Sequence, residues 1–533
     1  MIGFFSPLDI MKKRHLFLSA ICLGLGMTAF WNAAAQEPVL EPMATGKFQP
    51  TWESLGQYKI PEWFRDAKFG IWAHWGPQCE PEAGDWYARN MYFQKDGKYR
   101  FHLAHYGHPS EFGFKDVINF WKAEKWDPEK LLALYKGAGV QYFMALANHH
   151  DNFDNWDSKY QLWNSVCVGP HKDLIAGWAK AARDNGLKFG VSVHAARAWS
   201  WYEPAQGADK EGPLAGVPYD GKLTKADGKG KWWDGLDPQD LYAQNHTPGK
   251  KMVWDWDAKK GSSVPDQAYC DKFYNRTVDL INKYKPDLIY FDDHVLPLWP
   301  VSDVGLKLAA HFYNSNNQWH GADDDGVLFG KILNEQQRHC MVLDIERGES
   351  SKIEPLPWQT DTCLGDWHYD RSYFNGHYYR SAKTVIRTLA DVVSKNGNLL
   401  LSVPVRADGT IDGDETKIVE EIAQWMDVNR ECIFGTRPWK VFGEGTAGKQ
   451  GTVRFTTKGN TLYVIAFGWP NTDLQIKSLG TNAKLYDGRI SDVTLLGSDE
   501  KMQWSQDAEA LTIKPPQKKI GDSAIVFKIT PSS

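Results

Sequence analysis

The sequence is short of several things, and each absence narrows what the protein does. It has no C-x-x-C pair, so a structural zinc site has no support. It has no H-E-x-x-H or H-x-H, the tight spacings by which catalytic metals announce themselves. Its net charge is −5 with a pI near 6.4, which argues against a basic face for nucleic acid. Beyond the N-terminal thirty residues no apolar run is long enough to span a bilayer. Seven cysteines are scattered through 533 residues, too sparse for a disulfide scaffold. Buried thiols are expected, with one bridge left open.

The N-terminus reads as a leader for export. Met11-Lys12-Lys13-Arg14 is a basic start, Leu16 to Phe30 is apolar, and Ala33-Ala34-Ala35 precedes Gln36 as a cleavage site. Met1 to Ile10 reads as an upstream extension. A secreted or periplasmic protein is expected. The alternatives are a membrane anchor or a lipoprotein at Cys22, the latter disfavoured by the bulky Ile21 before it.

What the chain has is length, a 42% hydrophobic content, and 25 Trp, 22 Tyr and 25 Phe. Two or three domains are expected. Aromatic faces suit sugar rings, although they also fill cores. After a lead-in over 36–60, short β-rich apolar runs alternate with helical segments over 61–432. The runs are Lys68–His74, Gln141–Ala147, Lys188–His194, Asp287–Asp292, Gly326–Leu333, Met341–Ile345 and Asn398–Val403, with a faint eighth at Trp358–Cys363. Helices are expected at Glu129–Lys136, Leu174–Asn185, Ala268–Lys285, Asp303–Tyr313, Ser381–Lys395 and Glu415–Arg430, several opened by Asp or Asp-Pro. This alternation predicts a (β/α)8-like (TIM) barrel, with a doubly wound sheet as the alternative. The stretch Trp199–Pro265 interrupts the rhythm and reads as an ordered aromatic loop over the barrel mouth. Residues 433–533 switch to short strands, including a hairpin about Lys458-Gly459-Asn460, and predict an all-β sandwich that supports the barrel.

Polar residues collect where the runs end: His74, His149-His150, His194, Asp292, then Asp344 and Glu346. In a parallel barrel those ends converge on one mouth. Two chemistries use such a set. Asp292 and Glu346 can act as paired carboxylates in glycoside hydrolysis. Alternatively His74, His149, His194 and Asp292 can ligate zinc. Each residue also has a bland reading: a strand-end Asp that caps a helix, a buried histidine, a surface glutamate paired with Arg347.

Longer motifs carry a resemblance. Lys68-Phe69-Gly70-Ile71-Trp72-Ala73-His74-Trp75-Gly76, Asp85-Trp86-Tyr87, Asn148-His149-His150-Asp151-Asn152-Phe153, Lys395 to Leu401 with Asp408-Gly409-Thr410, and Gly435-Thr436-Arg437-Pro438-Trp439 together resemble the α-L-fucosidases of glycoside hydrolase family 29. The resemblance spans about Trp63 to Ile465. It implies a retaining, exo-acting α-L-fucosidase working through a covalent fucosyl-enzyme on fucosylated oligosaccharides or glycoconjugates, with no cofactor. It implies Asp292 as nucleophile, with Tyr290 where the family often has Trp and Asp293 as rival by adjacency. His74, His149 and His150 would grip sugar hydroxyls, Asp85 and Trp86 would stand in for Glu-Trp, His194 for a sugar-binding Tyr, and Trp367 would face the sugar's methyl group. The acid/base would be Glu346, expected to be the carboxyl of higher pKa, with Glu335 as runner-up. An α-L-galactosidase and a fucose-binding protein without catalysis are the alternatives.

Overall fold

A computed structural model describes residues 39–321, 325–446 and 451–531. The leader read at 1–35 lies outside them. Among the described residues, eight parallel strands close into a barrel in chain order. They are β1 (Phe69–Ala73), β2 (Tyr142–Asn148), β3 (Lys188–Val193), β4 (Leu288–Phe291), β5 (Val327–Gly330), β6 (Val342–Asp344), β7 (Trp358–Cys363) and β8 (Gly397–Ser402). Helices cover the outer face, so the strands are buried on both sides and read as unbroken apolar runs. The interior is packed with Trp72, Tyr142, Met144, Tyr290, Phe329 and Leu400, and Phe64 of the preceding helix joins them. Closure, not an open doubly wound sheet, is the outcome.

The faint eighth run is a full strand. Its signal is weak because β7 carries Gln359 and Asp361 into the barrel. Tyr142 donates to Gln359 Oε1 at 2.9 Å, Gln359 Nε2 donates to Asp344 Oδ1 at 2.9 Å, and Tyr290 donates to Asp361 Oδ2 at 2.9 Å. A strand that serves a buried polar network cannot read as apolar. Two boundaries also move. The fifth run was expected to continue to Leu333, but β5 stops at Gly330 and Lys331 turns out at the mouth. The helix expected to end at Tyr313 runs to His320. Its Asn- and Ser-rich second half is a poor helix former, yet Asn314 is buried, donates to the Ala44 carbonyl and accepts from the Phe48 amide, each at 2.9 Å. Tertiary contact overrides propensity there.

Antiparallel strands follow the last barrel helix (Gly413–Asn429). The strands β9 (Arg437–Glu444), β10 (Val453–Lys458), β11 (Thr461–Phe467), β13 (Ile490–Leu495) and β16 (Ala524–Pro531) form one sheet; β12 (Leu474–Ile476), β14 (Trp504–Gln506) and β15 (Leu511–Ile513) form a second. Phe455, Val464 and Phe527 of the first sheet share a core with Ile476, Leu511 and Ile513 of the second, so the two make a sandwich. The expected hairpin pairs Lys458 with Thr461, and Gly459 takes the left-handed conformation (φ 57°) the tight turn needs. The sandwich is fastened to the barrel by buried Asp391, which pairs with both Arg454 and Lys395. Among the described residues the six cysteines are free thiols, and no helix is long and apolar enough to cross a membrane.

Candidate active site

The C-terminal strand ends surround a cavity of about 450 Å³. Nine of the ten site residues read from the sequence line it: His74, Asp85, Trp86, His149, His194, Tyr290, Asp292, Glu346 and Trp367. The tenth, His150, lies behind Asp292. Trp72 is the floor, with its ring 4.7 Å from His74, 4.9 Å from Tyr290 and 5.6 Å from Trp367.

Two of the loops are pinned by one buried network. Asn148, the last residue of β2, accepts from the amides of His194 and Ala195 at 3.1 Å each and donates to Asp154 at 2.9 Å. Arg276 reaches both Asp154 oxygens and donates to Asn152 Oδ1 at 2.6 Å. This network fixes the positions of His149, His150 and His194 together. Arg276→Met leaves Asp154 buried without its counter-ion, and should cost about 3–5 kcal/mol in denaturant unfolding. Near wild-type stability would mean that the network does not carry the loops.

Asp292 follows the last residue of β4. Its Oδ2 lies 3.1 Å from His150 Nε2 and accepts from His194 Nδ1 at 3.2 Å. Its Oδ1 accepts from Lys331 Nζ at 2.5 Å. Burial opposes its charge, but Lys331, His194 and His150 outweigh burial and hold the carboxyl well below its ordinary range. Lys331 Nζ also lies 2.7 Å from Glu346 Oε2. The two carboxyl oxygens therefore share one cation. Glu346, just beyond β6, is partly solvent-exposed. Arg347 pairs with Asp366 and lies over the Trp367 ring instead of binding Glu346. Glu335 is exposed and does not line the cavity.

Asp293 has another partner. It is buried, and its Oδ1 is 2.6 Å from Arg197 Nε. Burial, tempered by Arg197 and reinforced by Asp292, pushes its carboxyl up to about 6. The Arg197 guanidinium lies over the rings of Trp254 and Trp256, tying the strand end to the long Trp199–Pro265 segment. That segment is ordered. Trp199, Trp201, Tyr202 and Trp233 are buried, Trp232 is partly exposed, and Trp254 reaches the cavity wall.

The histidines form the polar floor. Gln78 accepts from the Ala88 amide through Oε1, so its Nε2 faces His149 Nδ1 at 2.7 Å. His149 therefore keeps its proton on Nε2. Burial, with the neighbouring imidazoles, holds His74 and His149 well below the ordinary histidine range, and burial brings His194 down to about 4. Both ring nitrogens of His74 and Nε2 of His194 and His368 are buried without a partner. Such atoms suit the hydroxyls of a ligand. Asp85 Oδ1 is 2.6 Å from His368 Nδ1. Burial opposes the Asp85 charge, but His368 and Lys98 together bring its carboxyl below the usual value. Among the described residues, three sets bring ligand atoms within 4.8 Å of one another and could hold a cation: His74, Asp85, His149 and His368; His149, His150 and His194; and, away from the cavity, Asp287, His320 and Asp325.

A family model described as alpha-L-fucosidase matches residues 36–431, and one described as the alpha-L-fucosidase C-terminal domain matches residues 448–530. The chain belongs to the alpha-L-fucosidase family. It is 26% identical over 528 residues to tissue alpha-L-fucosidase of Rattus norvegicus, covering 95% of this chain and 97% of that one. Over 517 residues it is 25% identical to the Homo sapiens tissue alpha-L-fucosidase, with 93% and 94% covered. It is also similar to the solved structure of Thermotoga maritima alpha-fucosidase in complex with fucose, with 25% identity, a TM-score of 0.67, and 91% of this chain and 100% of that one covered.

This family member is a glycoside hydrolase. Sequence reasoning missed Lys331, Arg197, Trp254, Asp361 and His368 around its cavity. Lys331 was hidden by running the fifth strand too far. Only its place directly after Gly330, in a run of strand ends that all carry polar groups, could have flagged it. His368 adjoins the singled-out Trp367 but has no local mark of its own. The other three are recognisable only through partners distant in the chain.

Proposed function

We propose that the enzyme is a retaining, exo-acting α-L-fucosidase that releases terminal α-L-fucose from fucosylated glycans, with Asp292 as nucleophile and Glu346 as acid/base. The observation that carries this reading is the single Lys331 nitrogen lying 2.5 Å from Asp292 and 2.7 Å from Glu346 at the open side of a cavity floored by Trp72 and the histidines. Asp292 attacks the anomeric carbon and Glu346 gives a proton to the departing oxygen. The resulting fucosyl ester is then opened by a water that Glu346 deprotonates. His74, His149 and His194 present unpartnered or donor nitrogens to the hydroxyls. His150 holds Asp292, and Asp85 acts through His368, which makes up for the carbon it lacks relative to glutamate. Tyr290 and Trp86 frame the ring.

Trp367 supports fucose over α-L-galactose. It packs on Trp72 and His74 and lies under the Arg347 guanidinium. An extra hydroxyl on C6 would meet an aromatic face, a mismatch that costs roughly 10²-fold in specificity. The floor histidines offer no reaction step of their own beyond binding, so the reading requires no metal, and a chelator should leave turnover unchanged.

The test is the anomer released first. Proton NMR of aryl α-L-fucoside hydrolysis should show α-fucose before mutarotation. β-Fucose first would overturn the double displacement, and no hydrolysis at all would leave a fucose-binding protein.

A further inference from the structure

Lys331 stands where chemistry has to happen. In the reaction proposed above, the anomeric carbon passes between Asp292 and Glu346 and develops positive charge there. In the free enzyme that position is filled by an ammonium, 2.5 Å from Asp292 Oδ1 and 2.7 Å from Glu346 Oε2. The nucleophile's other oxygen is already engaged by His150 and His194, so Oδ1 is the one free of imidazoles, and Lys331 covers it. The ammonium lies 5.5 Å from the centre of the Tyr290 ring, a contact the partly positive ring of a sugar transition state could equally make. Burial opposes its charge, but Asp292, Asp361 and Glu346 more than restore it. The side chain hangs from an exposed turn in which Ile332 has φ 46° and is 70% exposed, and its flexible stem can withdraw.

We propose that Lys331 is a resident cation that occupies the place of the positively charged transition state in the free enzyme and is displaced by the substrate. The inference rests on the roles assigned to Asp292 and Glu346. It accounts for two carboxyl groups being held close together, since a cation between them offsets the repulsion that like charges feel at that distance. It makes Lys331 a determinant of ligand charge: any cation entering the cavity competes with it, whereas a neutral sugar does not gain from its loss in the same way.

The experiment compares a protonated, fuco-configured iminosugar with neutral L-fucose by calorimetry on the wild-type enzyme, Lys331→Met and Lys331→Arg. The methionine variant should bind the iminosugar about tenfold or more tighter relative to fucose, and the arginine variant should keep the wild-type ratio. If both affinities move by one common factor in Lys331→Met, the lysine is merely structural and the proposal fails. Should that variant fold poorly, a crystal structure of the wild-type enzyme with the iminosugar decides the matter. Lys331 withdrawn from Glu346 supports displacement, and Lys331 still bridging both carboxylates overturns it. Failure of the wild type to bind either ligand would overturn the fucosidase reading as well, which separates the two failures.

Discussion

Asp292→Gly should lower turnover of an aryl α-L-fucoside by about 10⁴–10⁶-fold while leaving the fold intact, because nothing else in the cavity can form the ester. Apart from Glu346, the other carboxylates lining the cavity are engaged: Asp85 with His368, Asp293 with Arg197, Asp361 with Tyr290 and Asp366 with Arg347. External azide should recover part of the activity, since the glycine leaves room for a small anion on that face, and the product should be the fucosyl azide of inverted configuration. Near-normal hydrolysis in this variant would remove Asp292 from the mechanism. The same carboxyl sets the acid limb of the pH profile. A carboxyl with a lowered pKa is charged above that value and is lost as pH falls through it, so kcat/KM should hold to below about pH 4, under the ordinary carboxylate range.

Glu346→Gln should cost about 10²–10⁴-fold on natural fucosides, whose leaving groups need a proton. The loss should be far smaller for aryl fucosides with acidic phenols, which depart unaided, and the ester should then accumulate because deglycosylation lacks its base. Values of kcat/KM, which report formation of the ester, plotted against leaving-group pKa check this: the wild type should be nearly flat and the variant steep. If Glu346→Gln is indifferent to the leaving group while Glu335→Gln becomes steep, the acid/base belongs to Glu335, and that loop must move inward from its exposed position.

Much of the fold was legible because its signals are local. β1 to β6 and β8 are apolar runs a few residues long, and the helices that follow strands open on Asp127, Asp173, Asp266, Ser381 and Asp412, whose side chains accept from the first helical turn. The strand ends fall within a residue of those expected except in the fifth run, which overshoots β5 by three residues because the ladder stops at Gly330, before Lys331 turns to the mouth. β7 was faint because its inward positions serve Tyr142 and Tyr290 across the barrel. The candidate site was legible to the same depth. Asp292, Glu346 and the four histidines were visible as polar endings, whereas the pairing of Asp85 with His368, of Asp293 with Arg197 and of Lys331 with both carboxylates was not.

The sequence by itself determined the element types, the polar character of each strand end and the resemblance that links them, since all of these depend on neighbours in the chain. Only the tertiary structure decided which polar group meets which. Closing eight strands brings side chains separated by 283 positions, those of Asp85 and His368, within a hydrogen bond of each other. Such contacts depend on burial and distance in the closed barrel, which local propensity does not encode. Lys331 shows the difference most plainly: in the chain it is an ordinary lysine after a glycine, and in the barrel it is the cation between two acids.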